Sequence, residues 1–85
     1  MKDARITEYW LSPRDEYGDA LDVFFVDSVT EAREEYHYVK DEFAAEAKYW
    51  TLEKVVRTYE SDGEMTSESI TDATAELFPR SYQKS

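Results

Sequence analysis

Cysteine is absent from this chain, and histidine occurs once, glycine twice and proline twice. Without thiols there is no disulfide framework and no cysteine nucleophile, and the usage fits a reducing compartment, with cytoplasm the default. With so few histidines and glycines, phosphate-cradling loops and most catalytic triads are excluded, and no serine sits in a nucleophile elbow. Long apolar runs are missing too. The N-terminal MKDARITEYW lacks the apolar core of a signal peptide, and no later stretch approaches the ~20 apolar residues of a membrane span. A soluble chain is expected.

Positive charge is the other scarcity. Ten Lys and Arg face twenty Asp and Glu, a net charge of -10 and a pI near 4.4. Counterion release from a phosphate backbone requires Lys and Arg, so direct nucleic-acid binding is disfavoured, as is an anionic membrane surface. A basic protein partner fits, as does simple solubility.

What is present is aromatic and acidic. Seven Tyr, four Phe and two Trp in 85 residues bring large apolar area with polar tips that tolerate an interface. One domain covering 1–85 is expected, and at this size it buries only somewhat more than ~60% of its unfolded surface.

The most periodic stretch is Ser28 to Ala47. Val29, Ala32, Tyr36, Val39, Phe43 and Ala47 fall at spacings of three and four, one stripe of a helix facing a core. Ser28 and Glu31 form a capping box that fixes the start. Strands are expected over 5–11, 20–26 and 49–59, with a hairpin loop at Ser12–Asp19 around Pro13 and Gly18. In the second strand Leu21, Val23 and Phe25 share one face and Phe24 and Val26 the other, so both faces are apolar. After the Ser61-Asp62-Gly63 turn, a short strand is expected at 64–66. A helix is expected over 69–78, capped by Ser69 and Asp72 and stopped by Pro79, with a polar tail at 80–85.

The fold class is therefore α+β, a small ββαβ-type domain. Its antiparallel-rich sheet of three or four strands is expected in the order 2-1-3, with the long helix on one face. The other face is left to the C-terminal helix or to a second copy of the chain.

Motifs for chemistry are weak. His37 has Arg33, Glu34, Lys40 and Asp41 at helical spacing, which is no metal set, and it reads as a solvent-facing residue. In Glu60-Ser61-Asp62-Gly63-Glu64 the glycine is fourth, where a calcium loop needs it sixth. Asp15, Glu16 and Asp19 read as a polar loop. No catalytic residue, metal or cofactor is expected, and the chain reads as not an enzyme.

The distribution of charge is more informative. Between Thr58 and Pro79 lie six acidic residues and no Lys or Arg, while the long helix carries six acids against Arg33 and Lys40. The candidate contacts for a basic partner are Glu31, Glu34, Glu35, Asp41, Glu42, Glu64, Glu68, Asp72 and Glu76. The last four recur every four residues, and on a continuous helix would form one stripe with a rise of ~6 Å per step. In composition, small and cysteine-free, strongly acidic and aromatic-rich, the chain resembles phage-encoded inhibitors that act by DNA mimicry. That resemblance implies a protein that blocks the basic cleft of a nucleic-acid-binding partner. The alternative is an accessory or adaptor subunit, a homodimer through an aromatic sheet face of Tyr9, Phe24, Val26, Val55 and Tyr59, its acidity serving solubility.

Overall fold

A computed structural model describes residues 4–78; Pro79 and the 80–85 tail lie outside the described residues. The elements are β1 (Ala4–Arg14), β2 (Phe24–Val26), α1 (Val29–Val39), a 3-10 turn at Lys40–Phe43, β3 (Tyr49–Tyr59), β4 (Met65–Asp72) and the single helical turn α2 (Thr74–Leu77). All strand pairs are antiparallel, in the order β2-β1-β3-β4. The domain is α+β, and the ββαβ description with order 2-1-3 stops one full strand short. Among the described residues no helix is long and apolar enough to cross a membrane.

Helix α1 begins where its sequence signal places it. Ser28 is extended, its Oγ accepts from the Glu31 amide at 3.1 Å, and the Glu31 carboxylate accepts from the Asp27 amide at 2.8 Å. The α-helix does not run to Ala47. It ends at Val39, and the tighter turn that follows keeps Phe43 beside the rings of Phe24 and Trp50, at 6.0 and 5.9 Å between centroids. The chain then reverses to set Tyr49 opposite Arg14.

The core lies between α1 and one face of the sheet. Leu11, Ala32, Leu52, Ala73 and Leu77 are buried together, with Tyr9, Phe24, Val26, Tyr36 and Trp50 packed against them. Opposed residues of an antiparallel pair share a face. The pairs Leu11↔Leu52, Leu11↔Phe24 and Tyr9↔Val26 therefore put the predicted interface residues Tyr9, Phe24 and Val26 on the helix side. Three consecutive apolar residues have no parity of their own, and the register with β1 decides it.

Strand β2 is shorter than 20–26 for a reason in β1. Pro13 lies inside β1, not in the expected loop, and its carbonyl accepts from the Leu21 amide at 2.8 Å. In a strand a residue's carbonyl and amide point to the same side, so the donor that proline lacks is missing on the β2 side. Pairing there shrinks to a bridge between Arg14 and Ala20.

The largest departure is at the C-terminal end. The expected helix over 69–78 is a strand to Asp72 and one turn of helix from Thr74, and the short strand at 64–66 becomes the eight-residue β4. Ser69 and Asp72 form no capping box. Ser69 pairs with Val56 and Asp72 with Glu53, since the long β3 offers a complete ladder of partners to a segment whose isolated helix would be marginal. Nor does α2 reach the second face. It packs beside α1, with the Tyr36 and Phe78 rings 5.1 Å apart and the Arg33 guanidinium donating to the Glu76 carbonyl at 2.7 Å.

Both layers crowd one end of a long sheet. Eleven-residue strands run about 36 Å, against about 16 Å for α1. The principal extents are 48 × 27 × 21 Å and the radius of gyration is 15.0 Å, where a compact chain of this length has about 12 Å.

Candidate functional site

The sheet face turned away from α1 carries alternating residues of every strand. Across it run the pairs Phe25↔Trp10↔Glu53↔Asp72, Glu8↔Val55↔Ile70 and Ile6↔Arg57↔Glu68. No helix lies over this face among the described residues. Phe25 is 65% exposed, Ile6 50% and Ile70 48%.

Its centre is nevertheless ordered. Arg57 Nε donates to Glu68 at 2.8 Å and its Nη1 to Glu8 at 3.2 Å, tying β1, β3 and β4 together. Those hydrogen bonds, Glu68 first, hold the guanidinium pKa above its ordinary value. The same guanidinium lies 5.9 Å from the Trp10 ring centroid, so the Arg57 side chain spans position 55, and Val55 is fully buried. Trp10 in turn meets Phe25 edge to face at 5.8 Å, and its Nε1 is buried with no acceptor. The result is an apolar face crossed by the paired charges of Glu8, Arg57 and Glu68. Of the five residues expected to form an aromatic face, only Val55 and Tyr59 belong to this one, and Val55 is not accessible.

The nine acidic candidates divide between the α1 segment and the segment from β4 to α2, which meet where α2 packs beside α1. Glu31, Glu34, Glu35, Asp41 and Glu42 follow α1 and the 3-10 turn, on the β1 and β2 side. Glu64, Glu68 and Asp72 follow β4, and Glu76 sits in α2. Four of them are engaged. Glu31 caps α1, Glu68 pairs with Arg57, and Asp41 lies 3.7 Å from Lys40. Asp72 Oδ1 accepts from the Thr74 hydroxyl at 2.6 Å and the Thr74 amide at 3.2 Å. These bonds, the hydroxyl's first, hold the Asp72 carboxyl below its usual range. Among the described residues, Glu34, Glu35, Glu42, Glu64 and Glu76 make no ion pair and no side-chain hydrogen bond.

Two other assemblies come from residues that were weighed in the sequence and set aside. Glu60, Asp62 and Glu64 gather carboxylate oxygens within 4.8 Å at the β3–β4 turn, where Gly63 takes φ +93°. All three are exposed, and Asp62 already accepts from the Glu64 amide at 3.0 Å. Between α1 and α2 lies a groove of about 550 Å³ that gathers Arg33, His37 and Lys40 beside Tyr36 and Phe78. Helical spacing brings the first three together, but the opposing wall comes from α2, which the sequence pattern had placed elsewhere.

No protein-family model, curated protein or solved structure matches this chain.

Proposed function

We propose that the chain is a non-enzymatic binding protein that engages a basic protein partner through its carboxylates. One observation carries this reading: internal cations leave most of the acidic surface uncompensated. Among the described residues the ion pairs are Arg14–Glu53, Lys40–Asp41, Arg57–Glu8 and Arg57–Glu68. Exposed carboxylates in two groups attract a cationic partner from a distance and set its orientation more than its affinity.

In its sharpest form the partner is a nucleic-acid-binding protein whose basic cleft the carboxylates occupy in place of phosphate. The spacing on β4 favours the broader version. Residues four apart are ~6 Å apart along a helix but about 13 Å apart along a strand. Glu68 and Asp72 are thus too widely spaced to copy a row of phosphates closely.

The test immobilises the wild type and a variant with Glu34, Glu42, Glu64 and Glu76 changed to Lys, passes host lysate over both at low salt, and elutes with a salt gradient. The carboxylates of these four have no partner among the described residues, so the fold is spared. The wild type is expected to retain a protein that the variant loses, and duplex DNA competes if the partner is a nucleic-acid-binding protein. Equal retention at the same salt refutes the reading.

A second reading, an adaptor or homodimer, is supported by the exposed Phe25, Ile6 and Ile70 on the uncovered face. Interface centres are depleted of net charge and enriched in aromatic residues and Arg. Here Trp10, Phe25 and Arg57 lie beside carboxylates that are already paired.

A further inference from the structure

Among the described residues the sheet has two free edges of very different character. The β2 edge is three residues long. The β4 edge is eight residues long, and every one of those residues is exposed. Exposed edges are normally blunted by Lys, by Pro, or by a covering helix or loop, because their outward amides and carbonyls accept any further strand. From Met65 to Asp72 there is no Lys, Arg or Pro. The irregularity in the β3–β4 pairing is confined to its beginning, at Thr58 and Tyr59. Along the rest, β4 offers Glu68, Ile70 and Asp72 on the uncovered face and Ser67, Ser69 and Thr71 on the other.

We propose that the outer edge of β4 accepts a fifth strand from an extended basic segment of the partner. Main-chain hydrogen bonds supply affinity in such strand addition, and alternate side chains supply specificity. Glu8 and Glu68 share the single cation Arg57, and among the described residues Asp72 is hydrogen-bonded only by the neutral Thr74, so negative charge remains at both β4 positions. The order carboxylate, isoleucine, carboxylate selects its complement: a basic residue, an apolar residue two positions on and a second basic residue two positions further, with small or hydroxyl-bearing residues between. Directly opposed side chains on paired strands make the contacts.

A second β4 strand does not fit the edge. Twofold pairing about Ile70 sets Glu68 opposite Asp72, pairing about Glu68 sets that carboxylate against itself, and any register brings together two chains of net charge -10. The inference rests on the basic-partner reading and adds where and how the partner docks.

The test is an NMR titration of the full chain, following amide shifts and hydrogen exchange. The probe is an end-blocked peptide, Thr-Lys-Thr-Val-Thr-Lys-Thr, and its twin is N-methylated on the residues whose amides would face β4. Strand addition predicts shifts and exchange protection over residues 65–72, with the methylated twin binding at least about tenfold weaker because its main-chain donors are gone. Ile70→Lys, which puts a blunting cation on the edge, should abolish the effect while leaving the α1 resonances in place. Equal binding of both peptides, with shifts over Glu34 and Glu35, overturns strand addition and leaves the acidic-surface reading standing. No binding by either peptide at low salt overturns strand addition, while the lysate comparison decides the basic-partner reading separately.

Discussion

Replacing Thr74 by valine should lower stability by about 1–3 kcal/mol, the typical cost of stranding one buried amide. At Leu52 the β3 ladder runs past the end of β4, and the Thr74 side chain stands in for the missing strand residue: its Oγ1 accepts the Leu52 amide at 3.0 Å, while the Ala73 amide donates to the Leu52 carbonyl at 2.7 Å. Leu52 is fully buried, so water cannot take over as acceptor. Valine is close in size and opens no cavity, so the loss reports the hydroxyl's hydrogen bonds, with the Leu52 amide and with Asp72. Total stability for 85 residues is about 4–13 kcal/mol, and with a urea dependence near 1 kcal/mol/M the midpoint should fall by about 1–3 M. Thr74→Ser, which keeps the hydroxyl, should lose much less.

The variant carries a second signature in Asp72. Its carboxyl lies below the usual range because of the Thr74 hydroxyl first and amide second, so in the valine variant it should titrate closer to an ordinary aspartate. A group depressed in the folded state contributes stability above its unfolded pKa and loses it as pH falls through the folded value. The gap between wild type and variant should therefore be constant at neutral pH and narrow below about pH 4. A midpoint shift under about 0.3 M at pH 7, or serine as damaging as valine, would refute the assignment.

Ser28→Ala removes the oxygen that accepts the Glu31 amide and should cost ~1 kcal/mol, read as a fall of several degrees in Tm. Leu52→Ala empties a fully buried site; about 2–5 kcal/mol is expected in urea unfolding, a large share of the total. Gly63→Ala meets no atom within 4 Å but must hold φ +93°, so a loss of about 1 kcal/mol is expected from backbone strain alone. The double change Phe25→Ser with Ile6→Ser should move stability by no more than about 1 kcal/mol in dilute solution. A larger loss that grows with protein concentration would assign the uncovered face to a second copy of the chain.

What could be read from the residues was what local physics decides. Tyr49–Tyr59 is rich enough in aromatic and β-branched residues to mark β3 end to end, although its parity is blurred. The Ser28 cap marked the start of α1, with the Glu31 carboxylate returning to the Asp27 amide and not to that of Ser28. Helix α1 runs shorter than its apolar stripe because the tighter turn holds Phe43 against rings contributed by β2 and β3, and no local signal reports those distant partners. Phe24, Phe25 and Val26 could not be assigned to faces from their own order, since Leu11 and Trp10 on the neighbouring strand decide which of them enters the core.

The acidic repeat shows why the candidate site was harder to place than the fold. A four-residue spacing keeps side chains on one face of a helix and equally on one face of a strand, so Glu64, Glu68, Asp72 and Glu76 carry no information about which they occupy. Ile70 tells the two apart in space. On a helix it would lie across the axis from Glu68 and Asp72, leaving a purely acidic stripe. On β4 it lies between them on the same face. The complement of that face changes with it: a row of charges would call for a cationic surface, whereas the β4 face would call for the alternating basic and apolar groups of the proposed added strand.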